Sequence, residues 1–355
     1  MPTSSPPKRK KTKFFFILLL LTVLGFAAKW YFDRKAEGAF EQPNVVLERF
    51  QEQKELMGTM ATITVYAESK EQAQAAIAKA FVRGDEINLV ASDYLPKSEL
   101  TLFNSAAADI WHPASKDLLA LVAYGLELAE LTDGTYDPTL GTLTHLWRET
   151  KKAAELPSVA TIDQALALSG WELIEVQLQT QQIRKLKEGV RLDLGGLAKG
   201  YAADQMLEVL EKYSLRKALI VIGGDVRCGQ APPNKEGWTI GLKDYRGELS
   251  EVITVADCAV STSGDLQQFV EIEGRRYSHV LDPTTGLGMA DSLLATVVAQ
   301  NGLMADPLAT AACVNPVYFN KISPSTAIHS RILSVDQQQV SPGFPHITPY
   351  SQEKE

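Results

Sequence analysis

The stretch VRLDLGGLAKGYAADQMLEVL, residues 190–210, carries the strongest structural signal in this chain. Its apolar first residues predict a strand over Val190–Leu194, and the spacing of the later apolar residues predicts a helix over Leu197–Tyr213. The paired glycines Gly195 and Gly196 lie between the two. Because glycine has no Cβ, this junction allows a ligand to approach the backbone closely.

The predicted helix start is suited to an anionic ligand. A helix amino terminus offers unpaired N–H groups and positive potential, which favour a phosphate or pyrophosphate. Lys199 adds a charge in the first helical turn, and Asp193 can accept hydrogen bonds at the end of the strand. The spacing matches neither a P-loop nor a GxGxxG fingerprint. A tight strand–helix turn with a solvated lysine remains an alternative.

Outward from this stretch, strand and helix patterns interleave without a regular strand–helix–strand repeat. A helix is predicted over Lys70–Ala91, and strands are predicted over Leu56–Ala67 and Ala218–Ile222. This order indicates an α+β fold rather than a doubly wound α/β fold. We expect one large mixed-sheet domain over residues 45–350.

A second segment, MADPLATAAC (304–313), places hard oxygen atoms on one helix face. Asp306 and Pro307 are predicted as the N-cap and first residue of a helix. Thr310 follows Asp306 by four residues, so the two share a face. A carboxylate and a hydroxyl suit Mg²⁺ together with phosphate oxygens. Capping alone also explains these residue types.

Three further segments are rich in polar or glycine residues. RRYSHVLDPTTG (275–286) holds His279 in a predicted strand over Tyr277–Leu281, as a candidate acid or base. DGTYDPTLG (133–141) offers Tyr136 for stacking and Asp137 for a polar ligand edge. The third, IGGD (222–225), again places glycines and a carboxylate at a strand end.

The charge distribution separates the amino terminus from the body. The 355 residues have a formal charge of −8, yet the first 13 hold five basic side chains and no acidic one. The remainder has 30 basic and 43 acidic residues, which argues against sequence-independent nucleic-acid binding. Three cysteines do not form a disulfide framework, although a single bridge between Cys228 and Cys258 remains open.

The basic start is followed by an apolar run over residues 14–28. This pattern predicts a signal anchor over residues 1–32, followed by a polar tether over residues 33–44, with a cleaved signal as the alternative. Because positive flanks stay cytoplasmic, we expect the body to lie on the exported, periplasmic side of the inner membrane.

Eight segments occur in an order that resembles one known family over residues 50 to 315. They are MGT (57–59), SDYLPKSELTLFN (92–104), DGTYDPTLGTLTHLW (133–147), LDLGGLAKGYAAD (192–204), IGGDVR (222–227), STSGD (261–265), YSHVLDPTTG (277–286) and ADPLATA (305–311). Together they resemble the ApbE family, the FAD:protein FMN transferases. The resemblance implies an α+β body of the ApbE, T-fold-like type.

The resemblance also implies an activity. Members bind FAD and Mg²⁺, split the pyrophosphate, move FMN onto a Thr or Ser hydroxyl of a partner protein and release AMP. Known partners are subunits of membrane redox complexes, such as the sodium-pumping NADH:quinone oxidoreductase (Nqr) and the Rnf complex. An FAD pyrophosphatase that uses the same Mg²⁺ site, and a non-catalytic, membrane-tethered flavin-binding protein, remain alternatives.

The resemblance assigns roles to individual residues. The implied FAD contacts are Met57, Tyr94, Thr135, Tyr136, Asp137, Asp193, Lys199 and Leu281. The implied metal ligands are the Gly196 carbonyl, Asp306 and Thr310, which agrees with the hard-oxygen argument above. Asp306 is also expected to be essential for catalysis, and His279 is the leading candidate for the general base.

Overall fold

The structure is a computed structural model that describes residues 46–264, 269–290, 293–317, 319 and 327–351. From Leu47 onward the described chain forms one compact unit. The predicted signal anchor (1–32) and tether (33–44) lie outside the described residues, as does Asp265 of the STSGD segment. Within the described part, no helix combines the length and apolarity that a bilayer crossing requires.

An eight-stranded sheet forms the centre of the fold. In spatial order its strands are β1 (Glu48–Leu56), β2 (Thr59–Ala67), β6 (Ala218–Ile222), β7 (Asp225–Cys228), β10 (Cys258–Gly264), β13 (Leu294–Ala299), β14 (His329–Leu333) and β15 (Gln338–Val340). The predicted α+β class is confirmed. The described pairings within this sheet are all antiparallel, so the prediction of a mixed sheet is wrong.

Smaller elements surround the main sheet. There are three short sheets. The first contains β3 (His112–Pro113), β4 (Ile174–Gln177) and β5 (Gln182–Lys185), and the second contains β8 (Trp238–Lys243), β9 (Leu249–Val255) and β16 (Thr348–Pro349). The third is formed by β11 (Phe269–Ile272) and β12 (Arg275–Ser278). The described helices are α1 (Lys70–Ala91), α2 (Glu99–Ser105), α3 (Lys116–Leu131), α4 (Gly141–Ala153), α5 (Val159–Leu166), α6 (Gly195–Lys212) and α7 (Gly302–Val314). One 3₁₀ turn spans Trp171–Leu173.

The two faces of the main sheet are covered differently. On one face α1 and α6 pack on β2 and β6, and Ile77, Met206 and Ile220 are buried there. On the other face the β8–β9 sheet buries Ile240 and Ile253. Because side chains alternate along a strand, the central strands of the main sheet can contribute to the cores on both faces.

Helices α6 and α7 cross at close range because each has a glycine at the crossing. A Cβ built on Gly200 would lie 2.0 Å from the carbonyl oxygen of Gly302, and a Cβ on Gly302 would lie 2.3 Å from the carbonyl oxygen of Gly200. Only hydrogen fits at either position. The crossing therefore sets the spacing of the side chains that flank these two glycines.

Two predicted strands differ from the structure. Val190–Leu194 makes only an isolated parallel bridge, between Arg191 and Leu140. The side chain of Asn104 replaces a neighbouring strand: its amide donates to the carbonyl of Leu192 and its oxygen accepts from the Leu192 N–H, both at 2.8 Å. The predicted strand over Leu56–Ala67 is confirmed from Thr59 onward as β2, whereas Leu56 ends β1 and the two residues after it form a hairpin turn.

That hairpin turns at Met57 and Gly58, which have φ angles of 52° and 71°. Positive φ at both residues is typical of the two-residue hairpin turn that matches strand twist. The cysteine pair is also settled: Cys228 and Cys258 are free thiols at directly opposite positions of β7 and β10.

Candidate functional site

Lys199 lies between the buried carboxylates of Asp225 and Asp306, where α6 passes α7. Its Nζ is 2.7 Å from Oδ2 of Asp225 and 3.1 Å from Oδ2 of Asp306. The two aspartates are only 5% and 3% exposed. We call Lys199, Asp225 and Asp306 the Lys199 cluster. It has a formal charge of −1, because one cation faces two anions.

Backbone geometry brings this cluster together. Lys199 lies in the second turn of α6, and Asp225 opens β7 directly after a turn that needs positive φ at Gly223 (+63°). The N–H of Gly200 donates to Oδ2 of Asp306 at 3.3 Å. The predicted site omits Asp225, although the IGGD segment was the signal that pointed to it.

The predicted helix start at Asp306 is wrong. Helix α7 begins at Gly302, and the side chain of Asn301 caps it by accepting a hydrogen bond from the N–H of Met304 at 3.0 Å. Pro307 therefore lies inside the helix, where it lacks the N–H of a backbone hydrogen bond. The Asp306 carboxylate is consequently free of a capping role and faces α6.

The amino termini of the two helices are not equivalent. Asp204 accepts hydrogen bonds from the first two N–H groups of α7, both at 2.9 Å, and Arg227 donates to it at 2.8 Å. Leu194, which precedes α6, offers no side-chain cap. Asp193 accepts only the Gly195 N–H, at 2.8 Å. The amino terminus of α6 is therefore the more open of the two.

The electrostatics of the Lys199 cluster follow from its burial. The pKa of Asp306 is raised to about 7, because burial and the nearby Asp225 carboxylate raise it more than Lys199 lowers it. Burial alone would lower the pKa of Lys199, but the two carboxylates outweigh it and hold that pKa above its ordinary value. Lys199 is thus a cation held in place by two carboxylates, rather than the solvated lysine of the alternative interpretation.

Thr310 lies one helical turn after Asp306 and next to the start of α6. A Cβ built on Gly196 would lie 3.6 Å from Oγ1 of Thr310 and 3.5 Å from the ring of Tyr136. The hydroxyls of Ser263 and Thr310 are 3.1 Å apart. The structure therefore brings the three predicted metal ligands, Gly196, Asp306 and Thr310, into one corner.

The donors in this corner fit Mg²⁺, which prefers hard oxygen ligands. Ser261, on the same face of β10 as Ser263, is buried and its hydroxyl has no hydrogen-bond partner among the described residues. An orphan buried hydroxyl is compatible with a site that a ligand completes. Among the described residues, no three His, Cys, Asp or Glu side chains lie close enough together to hold a metal ion. Hydroxyl and carbonyl oxygens would therefore have to contribute to a Mg²⁺ site.

The loop at 133–141 is more closed than expected. Tyr136 is buried against Gly196, so its ring is not available for stacking, and burial holds its pKa well above its usual range. Asp137 accepts hydrogen bonds from the N–H and hydroxyl of Thr139, at 2.7 and 2.6 Å. Thr135, which lies in the chain between the end of α3 and Tyr136, is partly exposed.

A second group of charges surrounds an exposed tyrosine. The guanidinium of Arg148, on α4, lies 4.1 Å from the ring centroid of Tyr94. Its Nη2 is 2.6 Å from Oδ2 of Asp93 and 3.8 Å from Oδ2 of Asp193. We call Arg148, Asp93 and Asp193 the Arg148 cluster. Two predicted FAD contacts, Tyr94 and Asp193, therefore lie together, whereas Arg148 is absent from the prediction because no motif marks it.

The other predicted site residues lie on separate segments. Met57 is partly buried in the β1–β2 turn, and Leu281 is buried against Trp147 with an isolated bridge to Gly288. His279 is exposed in a bend, because β12 ends at residue 278 instead of continuing to residue 281 as predicted. The carboxyl-terminal part of the predicted strand over Tyr277–Leu281 is therefore wrong.

Comparison with known proteins agrees with this geometry. The model of the ApbE family matches residues 57–318. A relative from Treponema pallidum named FAD:protein FMN transferase is 29% identical over 279 residues, covering 73% of this chain and 76% of the relative. A relative of the same name from Chlamydia trachomatis is 30% identical over 245 residues, covering 68% and 75%.

The fold is also similar to solved structures. The crystal structure of the ApbE protein from Thermotoga maritima has a TM-score of 0.76 and 28% identity, covering 83% of this chain and 97% of that one. The predicted family and the predicted enzyme class, a transferase, are confirmed. This chain is therefore a member of the ApbE family.

Proposed function

We propose that this protein is an FAD:protein FMN transferase that uses Mg²⁺ and modifies a Thr or Ser hydroxyl of a partner protein. Family membership and the names of the curated relatives support the transferase activity. The observation that carries the proposal is the corner formed by the open start of α6, the buried Asp306 and the hydroxyl of Thr310. This corner is suited to a pyrophosphate and a divalent ion.

The residues that would hold Mg²⁺ are Asp306, Thr310 and the carbonyl of Gly196. When bound, the ion supplies charge neutralisation at the pyrophosphate. Lys199 stays beside the ion's carboxylate ligand and limits the negative charge that the substrate meets. The N–H groups at the start of α6 donate to the phosphate oxygens of FAD.

The reaction is a phosphoryl-group transfer with one proton to place. The acceptor hydroxyl oxygen forms a bond to the phosphorus of the FMN half, and the bond from that phosphorus to the bridging oxygen breaks. AMP leaves with the bonding electron pair. We assign the hydroxyl proton to an imidazole nitrogen of His279, whose exposed side chain is accessible to an incoming protein segment.

We further propose that the acceptor is a subunit of a membrane redox complex of the Nqr or Rnf type. The support is the basic and apolar start of the chain, which is typical of a signal anchor and would keep the catalytic body at the periplasmic face of the inner membrane. A tethered transferase would meet membrane-bound acceptors at high local concentration. Fractionation of cells into soluble and membrane portions tests the tether directly.

The activity is tested by incubating the protein with FAD, Mg²⁺ and a purified acceptor subunit of the sodium-pumping NADH:quinone oxidoreductase. A transferase releases AMP and leaves covalent flavin on the acceptor. Free FMN and AMP without covalent flavin would identify the hydrolase, and stoichiometric FAD binding with no AMP would identify a flavin-binding protein. His279→Ala with full transfer would remove the histidine from the mechanism.

A further inference from the structure

Arg148 joins parts of the molecule that are distant in sequence. It lies on α4, yet its guanidinium covers the ring of Tyr94 at 4.1 Å and pairs with Asp93 at 2.6 Å. The same Nη2 is 3.8 Å from Oδ2 of Asp193, close to the start of α6. A planar guanidinium can stack on a ring and pair with carboxylates at the same time, which an ammonium cannot do as well.

The stacked ring remains available to a ligand. Tyr94 is 74% exposed although one of its faces carries the guanidinium. A ring held in one orientation by a cation, with its remaining surface in solvent, is a preorganised platform for a second planar group. Holding the ring before binding reduces the ordering cost of the complex.

Charge balance makes the cation necessary. Asp93 and Asp193 repel each other. Burial is the main cause that raises the pKa of Asp93, this repulsion is the second, and Arg148 acts in the opposite direction. Without Arg148 two partly buried carboxylates would lie together unpaired. Asp193 would then lose a neighbour that fixes its orientation while it holds the Gly195 N–H at 2.8 Å.

The residue next to Arg148 attaches α4 to the opposite side of the site. The indole N–H of Trp147 donates to the carbonyl of Ser278 at 3.1 Å, and its ring meets Tyr277 edge-on at 5.8 Å between centroids. Ser278 directly precedes His279. Helix α4 is therefore anchored to β12 by one residue, so that the position of Arg148 is fixed by packing.

We propose that Arg148 is a positioning residue for the flavin dinucleotide. It holds Tyr94 as a stacking surface for one of the two planar rings of FAD and orients Asp193 to accept hydrogen bonds from the same ligand. Arg148 therefore governs the affinity for FAD and leaves the chemical step at the Lys199 cluster unchanged. This inference rests on the proposed function, because it concerns the substrate of the same site.

The test compares Arg148→Gln and Arg148→Lys with Arg184→Gln. Arg184 is a matched control, because its guanidinium lies 4.7 Å from the ring of Trp111 and its Nε is 3.0 Å from a carboxylate oxygen of Glu175. The side chains of Arg148 and Arg184 are 26% and 28% exposed. FAD affinity is measured by quenching of flavin fluorescence, and KM and kcat by release of AMP.

We expect Arg148→Gln to raise both the Kd and the KM for FAD about tenfold or more, with kcat within about threefold of the parent enzyme. Arg148→Lys should recover part of the affinity, because it restores charge without the planar stack. Arg184→Gln should bind FAD as the parent does. An unchanged Kd in Arg148→Gln, or an equal loss in Arg184→Gln, would overturn the proposal.

A double-mutant cycle with Tyr94→Ala tests whether Arg148 acts through the ring. Tyr94 is exposed, so its removal should leave the fold intact. If Arg148 positions the ring, the losses in FAD binding free energy of the two single variants should sum to more than the loss of the double variant. Fully additive losses would contradict the proposal, as would a lower kcat at unchanged KM. Because the Kd for FAD is measured without turnover, failure of the transferase proposal would be seen separately as absence of AMP.

Discussion

The Lys199 cluster and the Arg148 cluster each place one cation between two aspartates, but the aspartates of the first are buried more deeply. In the first, a compact ammonium lies between Asp225 and Asp306, which are almost fully buried at a crossing of two helices. In the second, a planar guanidinium lies under the exposed ring of Tyr94. Each cation therefore suits the role that we propose for its setting: a point charge beside the proposed phosphate and metal corner, and a flat group beside the proposed stacking surface.

Under the proposed function, the two clusters would serve the two chemically distinct parts of a dinucleotide. The charged diphosphate needs fixed dipoles and charges in a dry setting, whereas the rings need flat, apolar surface. Damage at the Lys199 cluster should therefore lower turnover, and damage at the Arg148 cluster should lower affinity. The predictions below test this division.

The largest effect is expected from Asp306→Ala. Removing the buried carboxylate deletes a proposed Mg²⁺ ligand and leaves Lys199 with one partner, so AMP release should fall about a thousandfold. The measurement is the initial rate of AMP release at saturating FAD. FAD binding to the variant without Mg²⁺ serves as the control and should stay near the parent value. Normal turnover in this variant would contradict the assignment of turnover to the Lys199 cluster.

Gly200→Ala should break the helix crossing. The added methyl would lie 2.0 Å from the carbonyl oxygen of Gly302, so one helix must move, and the free energy of unfolding should drop by about 1–3 kcal/mol or more. Urea denaturation measures this. The matched control is Gly84→Ala on α1, whose new Cβ would meet the flexible side chain of Leu56 at 2.7 Å and should be tolerated better.

The affinity for Mg²⁺ should depend on pH. Burial and the Asp225 carboxylate together raise the pKa of Asp306 to about 7, against the effect of Lys199, so protons compete with the ion below that value. The affinity should therefore rise as the pH increases through 7 and level off above it, with about a tenfold gain from pH 6 to pH 8. Isothermal titration with Mg²⁺ across this range measures it. A flat profile would show that Asp306 is already ionised at pH 6.

Asp225→Asn should produce the smallest change, a shift of that same profile. The Asp225 carboxylate is the second cause, after burial, of the raised pKa of Asp306. Making it neutral should lower that pKa and move the midpoint of the Mg²⁺ profile to lower pH, with little change in affinity at pH 8. A midpoint that stays in place would mean that burial alone sets the pKa.

The sequence predicted those parts of the fold and site that depend on local patterns. Helix α1 was expected over the range that the structure shows, because its apolar stripe is regular. Gly196, Asp306 and Thr310 were expected as one metal corner, and the structure brings them together. In each case the signal lies in neighbouring residues.

The errors arose where tertiary contacts replace local rules. Asn104, far along the chain, supplies the hydrogen bonds that a strand partner would have given to Leu192. Asn301 takes the capping role that the Asp306–Pro307 pair suggested. Arg148 is recognisable only from its spatial neighbours, which come from segments 55 and 45 residues away. The contacts of Asn104 and Arg148 have no signature in a short window of sequence, whereas the Asn301 cap is a local signal that the prediction missed.

The unequal helix termini give the site a polarity. Asp204 occupies the first two amide groups of α7 with its own negative charge, whereas the start of α6 keeps its field less opposed. Under the proposed function, a phosphate would therefore be attracted more to the start of α6 than to the start of α7. Asp204 would thereby favour one orientation of the bound dinucleotide over the reverse.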